Sequence, residues 1–181
     1  MRPLIGITTS VNMRDYETQD QSVVMIPENY PKAVKEAGGI PLLISECGDP
    51  NELLDILDGL IISGGRDINP RIYGEELHEK TTDIDNQQDQ WEVSLIEGAI
   101  DRDLPLLCVC RGHQLLCAIR GGKLFQHLPT TKGFENHGET GGKWSNHKIQ
   151  LIPGSLIYDI LGEEVIGNSG HHQGVFDAGD L

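Results

Sequence analysis

The stretch LPLLCVCRGHQLL, Leu104–Leu116, runs an apolar strand into a polar corner and then into a helical start, with Cys108 and Cys110 at the corner. A thiol at a strand-to-helix corner stands at the positive end of the helix, where a thiolate is stabilised. The position predicts Cys110 as a nucleophile of lowered pKa, alkylated faster than Cys47, Cys108 or Cys117. Gly112 permits a sharp turn, like the glycine after the nucleophile in the serine elbow G-x-S-x-G, and the amide of Arg111 can face a developing oxyanion. The corner alone is equally compatible with Cys110 as a small core residue, because buried cysteines are common. Two further stretches end apolar runs with chemistry-bearing residues, SGGRDINP (63–70) and NSGHHQG (168–174). Zinc would want Cys and His ligands at recognisable spacing, which CVC with a distant HH does not supply, so neither a metal nor another cofactor is expected.

These corners need elements to hold them. LIGITT (4–9) reads as a buried strand and residues 11–22 as a polar loop. PENYPKAVKEAGG reads as a helix, with Val34 and Ala37 on one face and Gly38 as its C-terminal stop. Strands are expected at 40–45, 60–65 and 105–109, and helices at 51–59, over QDQWEVSLIEGAIDRD with Trp91, Leu95 and Ile96 on one face, and at 111–120. A strand at 148–152, a helix at 155–161 and a strand at 164–168 continue the alternation. The βαβα order predicts an α/β fold with a doubly wound, mostly parallel sheet of flavodoxin-like kind. In such sheets ligands sit outside the carboxyl ends of the strands where strand order reverses.

The chain has 181 residues, enough for one domain over 1–181 with a single core. Its 28 acidic against 14 basic residues give a formal net charge of −14, which repels phosphate backbones and anionic lipid surfaces, so neither nucleic acid nor membrane is an expected partner. MRPLIGITTS carries an apolar run too short for a signal-peptide core or a membrane span, and the four cysteines are too few for a disulfide scaffold. The expectation is a cytoplasmic protein with reduced thiols, acting on a small molecule as a monomer or a homodimer.

CRGHQLL, preceded by DLPLL and followed by GGKLFQHLP, resembles the nucleophile segment of class I glutamine amidotransferase-like proteins. GLIISGGRDINPRIYGEE, HKIQLIPGS and GNSGHHQGV resemble, in order, further segments of the peptidase C26 branch, the γ-glutamyl-γ-aminobutyrate hydrolase-like group. The resemblance covers nearly the whole chain and implies the class I glutamine amidotransferase fold. It also implies that Cys110 attacks the γ-carbonyl of a glutamyl amide and that the resulting thioester is hydrolysed to glutamate. On the same footing, Arg111 with Gly64 or Gly65 forms the oxyanion hole, and Gln114, Ser169, His171, His172 and Gln173 hold the γ-glutamyl head group. Read without the family, Gln114 is a solvated first-turn helix residue, and His171 and His172 are turn residues closing a loop.

Three positions depart from the family pattern. Cys108 stands where glycine is usual and must find room in a tight elbow. Gln88 before Asp89 replaces the usual arginine, a change expected at a surface or rim contact. The family's base is a histidine in a terminal Trp-His-Pro-Glu-like segment, whereas this sequence has no histidine after His172. The expectation is a chain shortened from a longer reading frame, lacking the last strands and weakened as a γ-glutamyl amide hydrolase, in preference to one whose base is replaced by a neighbouring histidine. The alternatives are an inactive γ-glutamyl-binding or partner protein, and the glutaminase component of an amidotransferase.

Overall fold

The structure, a computed structural model, describes residues 1–16, 19–134, 137 and 145–181. In chain order the elements are β1 (Leu4–Thr8), β2 (Ser10–Tyr16), β3 (Gln19–Met25), α1 (Asn29–Glu36), β4 (Ile40–Ile44), α2 (Pro50–Leu54), β5 (Gly59–Ile62) and α3 (Asn86–Asp101). There follow β6 (Leu106–Cys108), α4 (Arg111–Ile119), β7 (Lys123–Phe125), β8 (Ser145–Gln150), α5 (Leu156–Leu161), β9 (Glu164–Ser169) and β10 (Gly174–Asp177). The chain divides into two compact units, Met1–Lys123 with Asp177–Leu181, and Leu124–Phe176.

The first unit is built on a parallel sheet in the order β4-β1-β5-β6. The chain begins in the interior at β1, steps outward to β4, and then crosses back to β5 and β6. Strand order therefore reverses between β1 and β5, and the carboxyl ends of these two strands form the crevice that such sheets use for ligands. Ile7, Leu60 and Ile62 of the two inner strands, Leu95 and Ile96 of α3 and Leu115 of α4 are all fully buried. The helices start where the sequence supplies caps. Asp49 accepts a hydrogen bond from the Asn51 amide ahead of α2, and Asp85 accepts from the amides of Gln87 and Gln88 ahead of α3. Gly38 adopts a φ of +90° just beyond α1, where a side chain would be strained.

Residues 11–22, expected as a loop, lie mostly in the β2–β3 hairpin, which pairs Ser10 with Met25 through to Tyr16 with Gln19. In the hairpin only Val11 and Met13 alternate with polar residues, a run too short to mark a strand. Arg66 of the SGGRDINP loop fastens it by donating to Asn12 Oδ1 at 3.0 Å and to the Val11 carbonyl.

In the second unit β8 and β9 run antiparallel, Ser145 opposite Ser169 and Gln150 opposite Glu164. The alternation predicted parallel strands here. The short strands β7 and β10, which pair with each other, have no counterpart in the sequence expectations.

Candidate active site

The nucleophile corner forms as its residues require. β6 ends at Cys108, Val109 donates its N–H to the Ile62 carbonyl at 2.9 Å, and Cys110 then takes φ +51° and ψ −107° before α4 begins. A non-glycine residue held there costs about 1–3 kcal/mol and persists only where its surroundings enforce it. The Gly112 N–H donates to the carbonyls of Ser63 and Val109, and the Gln114 N–H donates to the Cys110 carbonyl. Gly112 tolerates no side chain, because a Cβ would lie 2.5 Å from the Ile62 carbonyl oxygen. Cys108 is accommodated in register with Ile62, and the elbow forms around it. Burial and the nearby Glu92 push the Cys108 thiol up to about 12, which makes it inert near neutral pH.

Cys110 is solvent-exposed, open on one side and walled by protein on the others. Those walls desolvate the thiolate and push the thiol above its ordinary value, while the Arg111 amide hydrogen bond and the Arg111 charge offset only part of this. The lowered pKa expected from the helix terminus is thus not what the structure gives, since desolvation outweighs the helix end. His113, the histidine nearest to it in the sequence, stands 3.5 Å from Cys117 Sγ. Among the described residues no imidazole is hydrogen-bonded to the Cys110 thiol.

The glycine loop after β5 sits against this corner. A Cβ on Gly64 would lie 3.3 Å from Cys110 Cβ and 3.9 Å from its sulfur, and one on Gly65 would lie 3.2 Å from Arg111 Cδ. The Gly64 N–H donates to the Tyr30 hydroxyl at 2.9 Å, so this amide already has a partner. No hydrogen bond engages the Gly65 amide among the described residues. Sequence reasoning missed Tyr30, which sits in the first turn of α1, because nothing in its neighbourhood in the chain links it to the glycines. Gln114 is buried in α4 and not solvated.

Arg111 is the second residue that sequence reasoning placed incompletely. Its guanidinium is 2% exposed and is gripped by Asp89 at 2.5 Å and by Glu92. Glu92 also accepts from the Gln88 amide at 3.2 Å, and Asp89 accepts from the Asn69 N–H at 2.9 Å. Gln88, Asp89 and Glu92 are all buried, so the departure at Gln88 lies in the interior and not at a surface or rim. Burial raises the Asp89 carboxyl above its ordinary value despite the Asn69 amide and Arg111.

In the second unit, Ser169 closes β9 and its carbonyl accepts from Ser145 Oγ at 3.5 Å. His171 Nδ1 lies 2.6 Å from the Gln173 carbonyl, and His172 Nδ1 lies 3.1 Å from His127 Nδ1. Gln173 is buried, and its side-chain amide donates to the Gln126 carbonyl at 3.4 Å. Cys110, Arg111, Gly64, Gly65 and Gln114 are therefore gathered in the first unit, and Ser169, His171, His172 and Gln173 in the second. Among the described residues no three His, Cys, Asp or Glu side chains are grouped to hold a metal ion, and no helix is long and apolar enough to cross a membrane.

A parallel sheet whose switch point faces a strained cysteine elbow defines the class. The fold is that of the class I glutamine amidotransferases, and the crystal structure of a glutamine amidotransferase from Thermotoga maritima is similar over 97% of this chain and 63% of its own, with a TM-score of 0.59 at 14% identity. The peptidase C26 profile matches residues 3–180, and the chain belongs to that family. It is 35% identical over 180 residues to Protein NtpR of Enterococcus hirae, covering 96% of this chain and 75% of that protein. It is 29% identical over 186 residues to the gamma-glutamyl-gamma-aminobutyrate hydrolase PuuD of Escherichia coli strain K12, covering 95% of this chain and 70% of that protein. Across the curated relatives it matches, the chain spans between 47% and 75% of their length.

Proposed function

We propose that the chain hydrolyses γ-glutamyl amides through a thioester at Cys110. The observation that carries this reading is the backbone of Cys110, held at φ +51° with its thiol exposed beside the glycine loop. An inert cysteine has no reason to be kept in so strained a conformation, whereas a nucleophile presented at a helix terminus does. The thiol gives up its proton as sulfur attacks the γ-carbonyl, and the oxyanion that forms faces the Arg111 and Gly65 amides. The proton passes to the amine, the C–N bond breaks, and the γ-glutamyl thioester remains on Cys110. Water then adds to the thioester and the same donors hold the second oxyanion until glutamate leaves and the thiol is restored. Gln114 of the first unit is assigned to the free α-amino and α-carboxylate of the glutamyl unit, and for Ser169, His171, His172 and Gln173 that role stays what the family resemblance implies. Specificity then resides in that head group, with the departing amine free to vary.

The raised thiol and the absence, among the described residues, of an imidazole bonded to Cys110 favour a second reading, a protein that binds γ-glutamyl compounds without turning them over. Glutamate release from γ-glutamyl-p-nitroanilide separates the two. Release that vanishes in Cys110→Ala supports hydrolysis, and binding without release supports the second reading. Preference for α-linked over γ-linked glutamyl peptides contradicts both.

A further inference from the structure

We infer that Asp89 and Glu92 are positioning residues for the thiol chemistry, acting through the side chain of Arg111 to hold the Arg111 amide at the Cys110 sulfur. The inference rests on the γ-glutamyl hydrolase reading for its chemistry. It adds a role for a buried ion cluster that this reading does not use.

Arg111 has two parts with separate tasks. Its main-chain N–H is the first of α4, directly after Cys110 at the corner where an oxyanion would develop. Its side chain runs away from the corner past Gly65, into a site where Asp89 and Glu92 receive Nη2 and Nη1. Asp89 and Glu92 stand three residues apart on α3, which places both carboxylates on one helical face. Both are buried, as is the guanidinium. The second oxygen of each carboxylate is also used. Asp89 Oδ2 takes the Asn69 N–H of the loop that carries Gly64 and Gly65, and Glu92 Oε1 takes the Gln88 amide.

The cluster therefore ties the nucleophile corner and the glycine loop, the two segments assigned to the oxyanion hole, to one rigid helix. A buried pair of this kind is poor evidence for stability, because desolvation offsets its attraction, but it fixes geometry closely. Oxyanion donors act only when held in place before the charge appears. A donor that drifts loses most of its effect on the transition state while leaving the thiol itself in place.

The test uses the full chain and three substitutions. Glu92→Gln and Asp89→Asn keep side-chain shape and remove a charge, while Arg111→Lys keeps the cation and loses the two-pronged fork. Two reactions of the same sulfur are compared. Acylation of Cys110 by the γ-p-nitrophenyl ester of glutamate builds an oxyanion and needs no proton on its leaving group, whereas alkylation by iodoacetamide builds none. Each variant is expected to lose about 10-fold or more in acylation rate, below the roughly 10²–10³-fold for deleting a donor outright, and alkylation is expected to fall by a clearly smaller factor, since the Arg111 amide also favours the thiolate. Hydrogen exchange in residues 109–114 should rise about 10-fold while exchange in β1 stays unchanged. Unchanged acylation, or acylation and alkylation falling in parallel, overturns the positioning role. Absence of acylation in the unsubstituted chain overturns the hydrolase reading, and exchange at 109–114 then decides the anchor by itself: a rise sustains it, and no rise removes it.

Discussion

The strain at Cys110 gives an inverted order of stabilities that can be measured without any substrate. At φ +51° and ψ −107° the residue sits where a Cβ clashes with its own backbone, at about 1–3 kcal/mol. Alanine keeps that Cβ and the strain with it, whereas glycine relieves it. Glycine also gives the unfolded chain more freedom, which offsets about 0.5–1 kcal/mol of the relief. Cys110→Gly should therefore be more stable than Cys110→Ala by up to roughly 2.5 kcal/mol, the reverse of the usual order at an ordinary position. For a chain of this size that is a difference of up to roughly 10 °C in Tm, and in urea a shift of midpoint at constant m-value. The assay is paired denaturation of the two variants, which share the loss of the thiol and differ in one methyl group. The alanine variant being the more stable would refute the strained elbow and the role drawn from it.

Gly112→Ala should destabilise the chain by about 1–3 kcal/mol in urea denaturation, since its Cβ would meet the Ile62 carbonyl at 2.5 Å and backbone must move. Tyr30→Phe leaves the Gly64 N–H without its partner and should lower stability by about 1 kcal/mol, with faster hydrogen exchange at Gly64 as the check. Alkylation of the free protein by iodoacetamide should reach half its limiting rate above pH 9.0 at Cys110 and near about 12 at Cys108. An alkylation midpoint for Cys110 well below 9.0 would restore the activated thiolate. Burial lifts the Asp89 carboxyl above its ordinary value of 3.8, so the folded chain holds that proton more tightly than the unfolded chain does. Its stabilising contribution is complete below 3.8 and is lost as pH rises through the folded value, so the stability difference between the unsubstituted chain and Asp89→Asn should fall as pH increases. A difference that grows with pH would show that the Arg111 charge outweighs burial.

The parallel half of the fold was legible because its strands are continuous apolar runs ended by glycine, proline or a cap, and because the helices between them repeat at 3.6. The nucleophile corner was legible for the same reason, as a cysteine between an apolar strand and a helix start has few roles. The β2–β3 hairpin was not, because only Val11 and Met13 alternate with polar residues and pairing defines the rest. The antiparallel course of β9 was not legible either, because apolar periodicity marks a strand and not its direction. The ion cluster could have been read in part. Asp89, Glu92, Ile96 and Ala99 recur at spacings of three and four, so two carboxylates share the buried face of α3 and require a buried cation. The thiol pKa could not be read, since it depends on how much protein surrounds the sulfur, and the partner of the Gly64 amide comes from a helix more than thirty residues earlier.

The central claim is that Cys110 takes the γ-glutamyl group. It is tested most directly by mixing the chain with the γ-p-nitrophenyl ester of glutamate, quenching in acid and mapping the modified peptide by mass spectrometry. The account requires one glutamyl group on Cys110, labile to hydroxylamine as a thioester is, and none on Cys47, Cys108 or Cys117. An unmodified Cys110, or a glutamyl group carried on another cysteine, would contradict it.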